Sequence, residues 1–228
     1  MPVGYEIHDH IERPPQELID RFVGIPTADL SDVMNKRGAF SPAIVPLFPG
    51  IAPFAGPAVT ISVPECAFET VKIGLDTSEP GDVIVINAAG NPNFALLGGN
   101  VCRGLKHRGV AGLIADGSVR DRSEIQEEGF PVFSRGHSIT MAPFEGIGEV
   151  NVPIACGGVV VNPGDIIVAD QDGIVVIQPH RAEEVLAAAL ELHARHESAQ
   201  PTLLRGEVTG ITGIRERAQQ RGAEFVTN

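Results

Sequence analysis

Apolar residues along this chain fall in short runs whose period changes from place to place. Near the N-terminus the spacing is helical. Residues 16–23 read as one helix and 26–37 as a second, in which Leu30, Val33 and Met34 share a face. Pro26 suits a first helical turn, where its missing N–H costs nothing, and Gly38 ends the element. From 57 to 63 the period drops to two: Val59, Ile61 and Val63 alternate with Thr60 and Ser62, which predicts a half-buried strand. Two later segments echo each other. Pro80-Gly81-Asp82 leads into Val83-Ile84-Val85-Ile86, and Pro163-Gly164-Asp165 leads into Ile166-Ile167-Val168-Ala169. Pro then Gly fits the central positions of a type II turn. Each unbroken apolar run then predicts a strand buried on both faces.

The middle of the chain alternates element types. A helix is expected over 100–107 and a strand over 110–115, closed by a tight Asp116-Gly117 turn. Further strands are expected at 129–134, 158–161, 166–169 and 173–177, the last two joined by a turn over 170–173. A long helix over 181–197 carries Val185, Leu186, Ala189, Leu190 and His193 on its buried stripe, and a shorter one lies near 213–221. No linker or composition break interrupts the pattern. The expectation is one α/β domain over 1–228, with flanking helices around a single core.

Charge narrows the partners. Against 29 Asp and Glu stand 17 Lys and Arg, a net charge of −12 that repels phosphate backbones and anionic lipid. No nucleic acid and no membrane partner is therefore expected. Apolar residues at 43% and charged residues at 20% exclude a disordered chain, and with no Trp and one Tyr the core must be aliphatic. The three cysteines, Cys66, Cys102 and Cys156, are an odd set without paired spacing, which argues for a reducing, cytoplasmic setting. The first residues lack the basic and apolar regions of a secretory signal, and no run approaches the ~20 apolar residues of a membrane helix.

Two segments could carry chemistry. In Ala95-Leu96-Leu97-Gly98-Gly99-Asn100-Val101 two glycines precede a helix, where uncovered N–H groups favour a carboxylate or phosphate. A plain turn is the structural alternative, and neither a P-loop nor a dinucleotide fingerprint is present. In Asp116-Gly117-Ser118-Val119-Arg120-Asp121-Arg122-Ser123-Glu124, a strand end delivers Arg120 and Asp121 to the edge where α/β sheets place ligands. Arg120 offers a planar fork for a carboxylate or enolate oxygen. Asp121 is a hard ligand of the kind that holds magnesium or manganese with waters and a chelating substrate. Solvated turn residues are the alternative. His8 and His10 lack a third ligand for zinc. Cys102, early in the predicted helix, would gain thiolate character there, but without a base beside it reads as a packing residue.

The run from Gly99 to Glu124 also spells Gly, twenty residues, Arg120-Asp121, two residues, Glu124. This resembles the G-x20-R-D-x2-E/D pattern of the RraA-like proteins, which include the 4-hydroxy-4-methyl-2-oxoglutarate / 4-carboxy-4-hydroxy-2-oxoadipate aldolases. The likeness extends to Thr27-Ala28-Asp29-Leu30-Ser31-Asp32, Arg108-Gly109-Val110-Ala111-Gly112 and Gly129-Phe130-Pro131-Val132-Phe133. The resemblance implies a swivelling β/β/α domain (phosphohistidine-domain-like) assembled as a homotrimer or homohexamer with inter-subunit sites. It implies that Gly98, Gly99, Asn100 and Val101 bind a substrate carboxylate, that Arg120 contacts the keto oxygen of a 2-keto-acid and that Asp121 ligates a divalent metal. It also implies an acid from a neighbouring subunit's C-terminal helix, matched here by Glu197, with Glu191 on the same helix as the other candidate. Where some aldolase members carry Asp at the position of Gly99, Asn100 is the nearest polar side chain here.

A retro-aldol reaction needs an electron sink. Lys36, Lys72 and Lys106 are the chain's lysines, and none sits in a context that would activate it as a Schiff base. A metal sink at Asp121 is the expectation, with magnesium or manganese as cofactor and oxaloacetate decarboxylation as a second outcome. The other function the resemblance allows is a non-catalytic, protein-binding regulator of ribonuclease activity.

Overall fold

The computed structural model describes residues 3–64, 66–206, 208 and 213–226. The chain divides into two compact units, Met1–Ala189 and Leu190–Asn228. The first holds helices α1 (Gln16–Asp20) and α2 (Thr27–Val33), then the short strand β1 (Val45–Pro46). There follow β2 (Phe54–Ser62), α3 (Phe68–Asp76), β3 (Val83–Asn87), α4 (Gly99–Arg108), β4 (Gly112–Val119), α5 (Arg122–Glu128) and β5 (Val132–His137). The strands β6 (Glu149–Val150), β7 (Ile154–Cys156), β8 (Val159–Val161), β9 (Ile166–Ala169) and β10 (Ile174–Ile177) precede α6 (Ala182–Leu204), which crosses into the second unit. That unit also holds α7 (Ile214–Gln220).

The main sheet runs β1-β5-β4-β3-β2-β9-β10, with β6 added beside β2, and β7 and β8 form a separate pair. Strands β2 through β5 are parallel and joined by helices, while β9 and β10 make an antiparallel hairpin over the predicted 170–173 turn. This is the mixed α/β class the pattern predicts. Two apolar clusters hold it. One gathers β2–β5 with α3, α4 and α5, and Phe54 meets Phe133 edge-on at 6.1 Å. The other packs α1, α2 and the start of α6 against the β9–β10 hairpin.

The echoed segments form matching turns. Asp82 N–H donates to the Glu79 carbonyl at 3.2 Å and Asp165 N–H to the Asn162 carbonyl at 3.0 Å. Gly81 and Gly164 take φ of +90° and +82°, as a type II turn requires. Each aspartate also accepts the N–H three residues back, from Glu79 at 2.7 Å and Asn162 at 2.8 Å. Asp82 is neutralised by the fork of Arg13 at 3.0 and 2.8 Å, whereas burial pushes the Asp165 carboxyl up. Both following strands are buried on both faces, as expected.

Three local expectations are corrected. Strand β2 is buried through almost its whole length instead of on one face, because it lies inside the sheet and α1, α3 and β7 pack against it. Thr60 is tolerated inside because its hydroxyl donates to the Val152 carbonyl at 2.7 Å. No tight turn closes β4 at Asp116-Gly117. The strand continues to Val119, with its register against β5 shifting between Ala115 and Ser118. Asp116 holds that irregular stretch: its carbonyl accepts the Gly90 N–H at 3.0 Å, and its carboxylate accepts Gly157 N–H at 2.9 Å and pairs with Arg135. On α6 the buried stripe ends at Ala189; Leu190 is 50% exposed and the His193 side chain 42%. Helices α3 and α5 and strands β1, β6 and β7 were not legible in the pattern.

Candidate active site

The site forms where β4 leaves the sheet. Val119 is paired with His137 at the end of β5, so the residues after each strand emerge side by side. The 95–98 stretch runs along this end: Leu96 N–H donates to the Ser118 carbonyl at 2.9 Å, and Arg120 N–H donates to the Leu97 carbonyl at 3.0 Å. These bonds deliver Gly98 and Gly99, at the start of α4, to the Arg120-Asp121 corner. The two segments singled out in the sequence therefore meet.

Asp121 turns that corner with φ +58°, a left-handed conformation that costs a non-glycine residue on the order of 1 kcal/mol and that Asp tolerates better than most. Its Oδ2 lies 3.0 Å from the Gly99 N–H, which donates to it, and 3.5 Å from Arg120 Nε. The approach is close enough to demand glycine. A Cβ on Gly98 would stand 2.3 Å from Asp121 Oδ2 and 2.8 Å from Arg120 Cγ, and one on Gly99 2.6 Å from Glu124 Oε2.

Of the loop amides expected to meet a substrate carboxylate, two are engaged within the chain. Gly99 donates to Asp121, and Val101 donates to the Gly98 carbonyl at 3.1 Å. Gly98 and Asn100 keep free N–H groups among the described residues. Arg120 Nε is enclosed and makes no hydrogen bond among the described residues, although the side chain as a whole is 42% exposed. Asp121 Oδ2 at 3.5 Å supplies opposite charge but no hydrogen bond, and an enclosed guanidinium N–H without one is costly unless a ligand supplies the acceptor. Beside it opens a cleft of about 290 Å³ lined by Arg120, Asp121, Arg122, His137, Ser138 and Ile139.

The donor set suits one kind of metal. Among the described residues no group of three or more His, Cys, Asp or Glu is arranged as a metal cage. Asp121 Oδ1 accepts no hydrogen bond among the described residues, and the carboxylate is a third exposed. One free carboxylate oxygen beside an open cleft fits a hard cation that takes its other ligands from water and substrate.

Glu197 and Glu191 lie on the part of α6 that belongs to the second unit, and both are exposed. Glu197 Oε1 stands 4.0 Å from His193 Nε2. The lysines are committed elsewhere. Lys36 pairs with Asp32 at 3.0 Å, Lys106 donates to the Glu128 carbonyl, and Lys72 lies over the rings of Phe68 and Phe144 at 4.9 and 5.3 Å. Cys102 is fully buried and burial pushes its thiol up to about 12, helped by the negative charge of Asp121. The packing role holds and the gain in thiolate character does not, because lost solvation outweighs the helix terminus. Sequence reasoning passed over Arg122 and His137 as cleft residues. Arg122 adjoins the motif, but His137 reaches the site only through the β4–β5 pairing.

This geometry belongs to a recognisable class. Residues 27–176 match the model of the RraA-like family, described as Aldolase/RraA, and the chain belongs to that family. It is 38% identical over 184 residues to a Halalkalibacterium halodurans protein named "Putative 4-hydroxy-4-methyl-2-oxoglutarate aldolase", covering 81% of this chain and 87% of the relative. It is 35% identical over 151 residues to the 4-hydroxy-4-methyl-2-oxoglutarate aldolase of Thermus thermophilus, covering 66% and 91%. Among solved structures, the Streptomyces coelicolor protein RraAS2, described as an unusual member of the RNase ES inhibitor RraA protein family, superposes with a TM-score of 0.74 at 29% identity, covering 83% of this chain and 98% of that one.

Proposed function

We propose that this chain is a divalent-metal-dependent lyase that cleaves 4-hydroxy-4-methyl-2-oxoglutarate-type acids to pyruvate and also decarboxylates oxaloacetate. The observation that carries the reading is the enclosed Arg120 Nε, which makes no hydrogen bond among the described residues and stands 3.5 Å from Asp121 Oδ2, both residues held against the glycines that open α4. The aldolase names of the relatives support it.

In this reading Asp121 holds the metal through its free oxygen. Bound there, magnesium or manganese supplies Lewis-acid charge to a chelating 2-keto-acid. The free N–H groups of Gly98 and Asn100 donate to the substrate's C1 carboxylate. Arg120 donates to the keto oxygen and stabilises the negative charge that collects on it as the C3–C4 bond breaks. The electron pair of that bond passes into the enolate, the C4 hydroxyl gives up its proton, and C3 is reprotonated to the methyl group of pyruvate. Glu197 is the acid the reading draws from a neighbouring subunit to help take the hydroxyl proton, with Glu191 as the other candidate. The reading therefore requires an oligomer, a homotrimer or homohexamer. A cytoplasmic location accords with three buried, unpaired cysteines, and among the described residues no helix is long and apolar enough to cross a membrane.

Coupled pyruvate detection on oxaloacetate and on 4-hydroxy-4-methyl-2-oxoglutarate tests the reading. Wild type with magnesium should release pyruvate, EDTA should stop it, and Asp121→Ala should lack it while keeping a native circular dichroism spectrum. Undiminished turnover in Asp121→Ala removes the assignment. A second reading, a protein-binding regulator of ribonuclease activity, is favoured by the likeness to RraAS2. Absence of pyruvate release under every divalent metal would select it.

A further inference from the structure

We infer that Arg122 and His137 form a second anion subsite in the same cleft, one that selects keto-acids carrying a carboxylate distal to the keto-acid end. The inference rests on the proposed lyase reading and names which side chains set its specificity.

In a chain of net charge −12, cations of the sheet unit are generally matched: Arg13 pairs with Asp82, Arg103 with Glu128, Arg108 with Asp76 and Arg135 with Asp116. The side chains of Arg122 and His137 make no ion pair or hydrogen bond among the described residues. Both line the cleft that holds Arg120 and Asp121. Their positions are set by the backbone: Arg122 opens α5 directly after Asp121, and His137 is the sheet partner of Val119. Arg120 and Asp121 suffice for the keto-acid end and its metal. That leaves a guanidinium and an imidazole lining the same 290 Å³ space with no side-chain acceptor among the described residues of this chain. A planar guanidinium recognises a carboxylate through paired N–H donors, and an imidazole N–H adds a third donor.

Titration calorimetry with magnesium present tests this with two acids that lack the C4 hydroxyl and so cannot undergo the cleavage. 2-Oxoglutarate carries the distal carboxylate, and 2-oxopentanoate is a five-carbon analogue without it. Wild type should bind 2-oxoglutarate at least about tenfold more tightly, as a charge-assisted paired hydrogen bond implies. In Arg122→Ala and Arg122→Gln that ratio should fall to about one, and in His137→Ala it should fall part of the way. A merely structural role for either residue would weaken both ligands together and leave the ratio intact. The assignment is overturned if wild type does not discriminate, or if both Arg122 variants keep the wild-type ratio. Pyruvate release together with an unchanged ratio removes this assignment alone; failure to bind either acid, with no pyruvate release, removes the lyase reading as well.

Discussion

Asp121 occupies a backbone conformation that disfavours most side chains, and the return is a carboxylate aimed at the first turn of α4. Strain of this kind persists only where the surroundings over-determine it. Here they do: Gly98 and Gly99 have no side chain because Asp121, Arg120 and Glu124 fill that space. The backbone of Gly98 is extended, so Gly98→Ala carries no conformational penalty and acts only by displacing Asp121 and Arg120. We expect pyruvate release to fall by about 100-fold with the melting temperature nearly unchanged, since misplacing reacting groups by about 1 Å costs that much. The thiols make a separate prediction. Cys102 is held near 12 against an ordinary 9.0, and burial also raises Cys66 and Cys156. Between those two values the unfolded chain loses the Cys102 proton while the folded chain keeps it. Stability is therefore full below pH 9 and declines as pH rises toward 12, by up to about 1.4 kcal/mol per unit. Urea midpoints should drop across that window, less steeply in Cys102→Ala, and the native protein should show no thiol reactive to Ellman's reagent at pH 8.

Strand β4 carries the site, and Asp116 governs how it ends. The pair Asp116-Gly117 has the composition of a turn, and local chemistry alone predicts one. The strand continues because its neighbours on both sides absorb the irregularity: Ala88 and Gly90 donate to the Asp116 carbonyl, and Gly157 and Arg135 engage its carboxylate. Asp116→Ala should cost about 3 kcal/mol in urea unfolding, because it strands a buried amide and leaves Arg135 without its partner. The mirror case is Pro-Gly-Asp at 80–82 and 163–165. There the turn bonds lie within four residues, so pattern and structure agree. Elements whose determinants are local were legible, and those settled by a neighbouring strand were not.

At the scale of the molecule, the proposed inter-subunit site makes mass a direct test. Light scattering should return three or six times the 24.1-kDa chain, and a monomer at working concentration would remove the role assigned to Glu197. The mixed α/β class, the matched turns and several of the helices and strands followed from the sequence, because period and turn chemistry are properties of short stretches; the core, expected to be aliphatic, also buries Phe22, Phe130 and Phe133. Pairing decided the rest. That β2 is buried on both faces, that β4 passes through Asp116-Gly117, that two loop amides are already engaged and that His137 lines the same cleft as Arg122 all depend on contacts between residues far apart in the chain. Such contacts leave no trace in local hydrophobic pattern, since each segment reads the same whether or not its neighbour arrives.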